Sequence, residues 1–148
     1  MNSSRPILIE LHYFPCVQYF SKFFLPAQLI LEQQENYVKR SYRNRMHIAT
    51  ANGLLRLSIP LEKGKNQQLN IKKVKISYQE NWQKKHWTAI CSAYGNAPFF
   101  DYYIDDFRPL FEERSIFLFE HNWKVLRILF EMLDISSPIE LSLSLIHI

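Results

Sequence analysis

Four cations within seven residues, Lys39, Arg40, Arg43 and Arg45, are interleaved with Tyr37, Tyr42, Asn36 and Asn44, and no acid interrupts residues 36–45. Arginine offers planar paired donors that match a phosphate, and the tyrosines and amides suit stacking on, or hydrogen bonding to, a base or sugar. The block therefore points to an anionic partner. If it is extended, Lys39, Arg43 and Arg45 share one face and Arg40, Tyr42 and Asn44 the other, so one ligand cannot meet all four cations. Charge that protects an edge strand is the competing reading. A second block, NWQKKHW at residues 81–87, adds Asn81, Lys84, Lys85 and His86. On a helix, His86 falls on the apolar face with Trp82 and Ile90, where it serves either as a general base or as a satisfied core residue. Asn81 suits the cap of that helix. The candidate base is thus His86, and the candidate substrate- or phosphate-binding residues are Lys39, Arg40, Tyr42, Arg43, Asn44, Arg45, Asn81 and Lys85.

Weaker constellations are present as well. His12 and Cys16 lie near a strand-to-helix turn, where a helix N-terminus would favour a thiolate, although cysteine is equally a small buried hydrophobe. Asp105 and Asp106 are adjacent and lack further ligands, so they read as exposed helix acids rather than a metal-nucleotide site. Cys16 and Cys91 show no metal-like spacing and fit a reducing, cytoplasmic compartment better than a disulfide scaffold. The P-loop, dinucleotide, zinc-protease, paired-cysteine and hydrolase motifs are all missing, and neither a cofactor nor a metal is expected. No apolar run approaches the roughly 20 residues of a membrane span.

These residues must be held by a chain of 148 residues, 47% hydrophobic and 15% aromatic, enough for one packed domain. Its formal charge of +4 is unevenly spread. Residues 36–88 hold twelve Lys and Arg against Glu62 and Glu80, a net of +10, and the flanks net −6. Such a field gathers anions at one face, though solvated lysines at residues 63–75 produce it equally well. Residues 7–11 predict a strand, Pro15 the start of a helix through Val17, Tyr19, Phe20 and Phe24 that ends at Leu25-Pro26, and residues 29–31 a second strand. A β-hairpin is expected at 46–61, turning at Asn52-Gly53, with Leu55, Leu57 and Ile59 inward. Residues 71–78 alternate as a half-exposed strand does. Three helices follow: one from Asn81 to a stop at Gly95, one opened by Pro98 and broken at Pro109, and one capped by Ser115. The last carries an apolar stripe of Ile116, Phe119, Trp123, Leu126, Phe130 and Leu133. The fold class is α/β, with a small mixed β-sheet that contains the hairpin and a helical C-terminal half.

The strings YFPCVQYF (13–20), ENYVKRSYRNR (35–45), IATANG (48–53), NWQKKHW (81–87) and SAYGNAPFFDYY (92–103) together resemble the WbqC-like proteins, a bacterial family met in clusters for O-antigen and other surface polysaccharides. The resemblance covers most of the chain and implies a role in surface-glycan synthesis, with glycine transfer as a proposed family activity. Cys16 and Gln18 depart from the Trp and Gly that many relatives carry there, so no catalytic role transfers to them. Relatives also look longer. The terminal LSLIHI (143–148) reads as a translated sequencing-adapter end, so a single domain at 1–142, incomplete at its C-terminus, is expected. The expected function is a cytoplasmic transferase acting on a phosphorylated small molecule or nucleotide-sugar, with aminoacyl-tRNA as another eligible donor. A non-catalytic nucleotide- or RNA-binding module is the alternative.

Overall fold

The computed structural model describes residues 6–24, 28–63 and 69–135 and the backbone of 139–141. Three short apolar runs, β1 (Ile7–Ile9), β2 (Leu29–Leu31) and β5 (Ile139–Leu141), form a parallel sheet in the order β1-β2-β5. Ile9 stands opposite Leu31, and Leu31 opposite Leu141. Parallel strands need a crossover. Between β1 and β2 it includes α1 (Val17–Ser21) and a 3₁₀ turn, Lys22–Phe24, and between β2 and β5 it is everything from 32 to 138. The expected helix end at Leu25-Pro26 lies outside the described residues, as does the tail at 143–148.

The hairpin pairs β3 (Arg45–Thr50) with β4 (Gly53–Ser58), antiparallel, so parallel and antiparallel pairing coexist in this α/β fold, with the hairpin in a small sheet of its own rather than within the parallel one. Its turn lies one residue earlier than expected. Thr50 pairs with Gly53, Ala51 and Asn52 form the tip, and only Gly53 takes a left-handed φ, 107°. A single left-handed residue after a type I turn closes such hairpins. Leu57 and Ile59 are buried as expected, whereas Leu55 is exposed.

Three helices cover this half: α2 (Trp82–Tyr94), α3 (Phe100–Glu112) and α4 (Leu118–Met132). Asn81 caps α2 by accepting from the Lys84 amide at 3.3 Å, and Gly95 follows its end. Four expectations fail locally. Pro109 does not break α3, because in its last turn only one ladder bond is lost and Glu113 still donates to the Pro109 carbonyl. Ser115 does not cap α4; Phe117 stands at the cap position without a side-chain bond. Residues 71–78 give a 3₁₀ turn, Ile71–Lys73, and isolated bridges at Lys75 and Ile76 rather than a strand, although Val74 and Ile76 still point inward. The stripe on α4 fails at its ends, where Ile116 and Leu133 are exposed; Leu126 is buried with Phe119, Trp123 and Phe130 packed against the same core, and Leu118, His121, Asn122 and Val125 widen the buried face.

Helix α4 joins two cores. Val125 packs with the hairpin, α2 and α3, whereas Leu126 packs with Ile9, Leu11, Tyr19, Phe23, Leu29 and Leu31 beneath the parallel sheet. Each such aliphatic burial contributes about 1.5–3 kcal/mol. The chain segments that leave the carboxyl ends of β1 and β2 emerge between these two cores.

Candidate functional site

Ligands of open parallel sheets bind beyond the carboxyl ends of the strands. Here that edge carries Glu10 and His12 directly after β1, and Glu32, Gln33 and Glu35 after β2. Arg43 reaches it from the basic block. Its Nε donates to Glu35 Oε1 at 2.8 Å, its Nη2 donates to Glu35 Oε2 at 2.8 Å, and the same Nη2 donates to Glu10 Oε2. Asn122 of α4 donates to the Arg43 carbonyl at 2.6 Å, so both side chain and backbone are fixed. Burial works against the Arg43 charge, but Glu35 and Glu10 outweigh it and raise the pKa.

The other oxygen of Glu10 holds His12. His12 Nε2 lies 2.8 Å from Glu10 Oε1. This bond is the main reason the Glu10 carboxyl titrates below its usual range, despite partial burial. A carboxylate only accepts, so Nε2 carries the proton and, in the neutral ring, the lone pair sits on Nδ1. An imidazole oriented by a carboxylate in this way is the arrangement of a general base. Tyr19 donates from its hydroxyl to the Glu10 carbonyl at 2.7 Å, and its ring lies 5.1 Å from that of His12, tilted by 39°. Tyr42, 56% exposed, lies 6.0 Å from the His12 ring and 5.7 Å from that of His47.

Residues 39–44 form turns, not a strand, so the two-face division of the cations does not apply. Arg40 takes a left-handed φ of 55°, and the Tyr13 amide donates to the Tyr42 carbonyl at 3.0 Å, which ties the turn to the segment carrying His12. Lys39, Arg40 and Tyr42 face solvent there. Asn44 is buried: it donates to the Ile59 carbonyl at 2.9 Å and accepts from the Tyr37 hydroxyl at 3.1 Å. Arg45 begins β3, and its buried Nε has no partner among the described residues. The block thus separates into exposed Lys39, Arg40 and Tyr42 and internally engaged Arg43 and Asn44.

His86 belongs to a different place. Its Nδ1 accepts from the Tyr13 hydroxyl at 2.8 Å, and its Nε2–H donates to the Ser58 carbonyl at 3.1 Å, so both nitrogens are spent on tying the post-β1 segment and β4 to α2. Burial pushes its pKa down to about 4. Lys85 is exposed beside it, on a surface cavity shared with Arg56 and Glu80. Asn81 is engaged as the α2 cap. Sequence reasoning missed Glu10 and Glu35, because counting charge inside the basic block stopped one residue after Glu35. The bare spacing Glu10-x-His12 at a strand end was the available signal. Asp105 is exposed and pairs with Arg108 at 3.0 Å, and Cys16 is exposed with a free thiol. Among the described residues no cluster of three or more metal-ligating side chains occurs, and no helix is long and apolar enough to cross a membrane.

Comparison with known proteins agrees with the motifs quoted above. An uncharacterised protein of Mycobacterium tuberculosis, Rv1507c, is 30% identical over 132 residues, which is 88% of this chain and 56% of that protein. The chain therefore spans little more than half the length of this relative. No solved structure matches it. The sequence profile of the WbqC-like protein family matches residues 11–148, and the chain belongs to that family.

Proposed function

We propose that the chain is a cytoplasmic transferase of surface-polysaccharide synthesis that acts on a phosphorylated or nucleotide-linked donor, with His12 rather than His86 as its base. The observation that carries this reading is the 2.8 Å contact between His12 Nε2 and Glu10 Oε1, beside a turn that exposes Lys39, Arg40 and Tyr42. In the step envisaged, an acceptor O–H or N–H gives its proton to His12 Nδ1 as the acceptor heteroatom bonds to the donor's transferred carbon. The bond from that carbon to the leaving oxygen breaks, and the electron pair leaves with the phosphorylated group, whose charge Lys39 and Arg40 meet. Arg43 holds Glu10 in place and so acts through it. Glycine or another aminoacyl group is an eligible cargo.

A non-catalytic nucleotide- or RNA-binding module is supported by the same exposed Tyr42 flanked by cations, which would stack on a base. Thermal-shift and turnover assays with nucleotide-sugars, aminoacyl-tRNA and RNA separate the two. For the transferase, a donor stabilises the protein, Lys39→Ala with Arg40→Ala removes that stabilisation, and His12→Asn lowers turnover by about 10²–10⁴-fold while binding persists. Unchanged turnover in His12→Asn would refute the base.

A further inference from the structure

Between the end of α3 and one side of α4, from His121 to Glu131, lies a cavity of about 200 Å³. Its lining includes Pro109 and Leu110 of α3, Ser115 of the connecting segment, and His121, Lys124 and Ile128 of α4. His121 is 1% exposed, and its Nε2 has no hydrogen-bond partner among the described residues. Leaving a buried nitrogen unpaired costs about 1–3 kcal/mol, so such a group asks for a ligand or a function. Nothing in the transfer step above uses it.

The other polar groups of the lining tell what it would take. Ser115 is buried, and its Oγ accepts from Lys124 Nζ at 3.1 Å, which leaves the hydroxyl proton available to donate. Lys124 is half-buried and also pairs with Glu120 Oε1 at 3.7 Å, and exposed Arg127 completes the cationic part of the lining. The innermost groups are therefore donors or donor-capable, while the carboxylates of Glu113 and Glu131 are on exposed residues at the rim. Leu110 and Ile128 give an apolar wall.

We propose that this cavity is a second binding site, for a small oxyanion, a carboxylate or phosphate group, held by His121, Ser115 and Lys124. The site does not depend on the transferase reading. Isothermal titration calorimetry of the whole chain with inorganic phosphate and, separately, with acetate tells the two chemistries apart, and ¹⁵N imidazole resonances locate the binding. The expected result is one saturable site for at least one of the two anions, with the His121 resonances moving along the same curve. Lys124→Met, at a half-exposed position that the fold tolerates, weakens it at least about tenfold. The proposal is overturned if neither anion saturates, if His121 stays unmoved, or if Lys124→Met binds as tightly as the unaltered protein.

Discussion

The Arg43 fork joins Glu10 and Glu35, carboxylates that lie 33 and 8 residues away and become neighbours when β1 and β2 pair. The fork was visible in the sequence as a phosphate ligand, and its carboxylate partners were not. Removing it strands two carboxylates that are partly shielded from water. Arg43→Ala should therefore cost about 2–4 kcal/mol in urea denaturation, and Arg43→Lys should recover little, because an ammonium lacks the fork. His86 was equally visible as an inward histidine, and its two partners emerged from elements 73 and 28 residues distant. Burial depresses both His86 and His121 to about 4. An unfolded histidine binds its proton near 6.5. Between those values the unfolded chain takes up protons that the native one refuses, so stability is full above about pH 6.5 and falls toward pH 4, by roughly 3 kcal/mol per histidine. A denaturation series across this range checks the slope, and His86→Gln should reduce it. Glu10 adds a separate loss at lower pH, since a carboxyl held below its usual range stabilises until it is protonated.

At the scale of elements, what was legible had local causes. Helix α2 was readable because Asn81 caps it, apolar residues recur on one face and Gly95 follows it. The hairpin was readable from Asn52-Gly53, although its turn lies one residue earlier. Gly53 meets nothing within 4 Å where a Cβ would stand, so Gly53→Ala has only backbone strain to bear. It should cost about 1 kcal/mol, measured as a lowered melting temperature with unchanged near-ultraviolet circular dichroism. Elements fixed by distant contacts were not readable. Strand β5 is three residues long and exists through pairing with β2. Residues 39–44 carried strand-like alternation, yet the Tyr13 amide and the Asn122 side chain hold them as turns. The α4 stripe was readable through Phe119, Trp123, Leu126 and Phe130, but the buried face is wider, because two polar residues, His121 and Asn122, face inward where apolar periodicity alone would not place them.

Over the whole molecule, the fold brings the carboxyl ends of β1 and β2 together with a solvent-facing basic turn, inside a middle segment of strong positive charge. That juxtaposition predicts that binding of a phosphorylated donor weakens as salt rises, because exposed Lys39 and Arg40 are screened, while the Arg43 cluster beneath them is much less affected. A titration at two ionic strengths measures this, and salt-independent affinity would locate the anion elsewhere. The proposed transfer depends on His12 being a base oriented by Glu10. Long-range ¹H–¹⁵N imidazole spectra near pH 8 test this directly. The prediction is a single His12 tautomer with the proton on Nε2 and a bare Nδ1, converting to a tautomer mixture in Glu10→Gln. A proton on Nδ1, or a spectrum indifferent to Glu10→Gln, would contradict it.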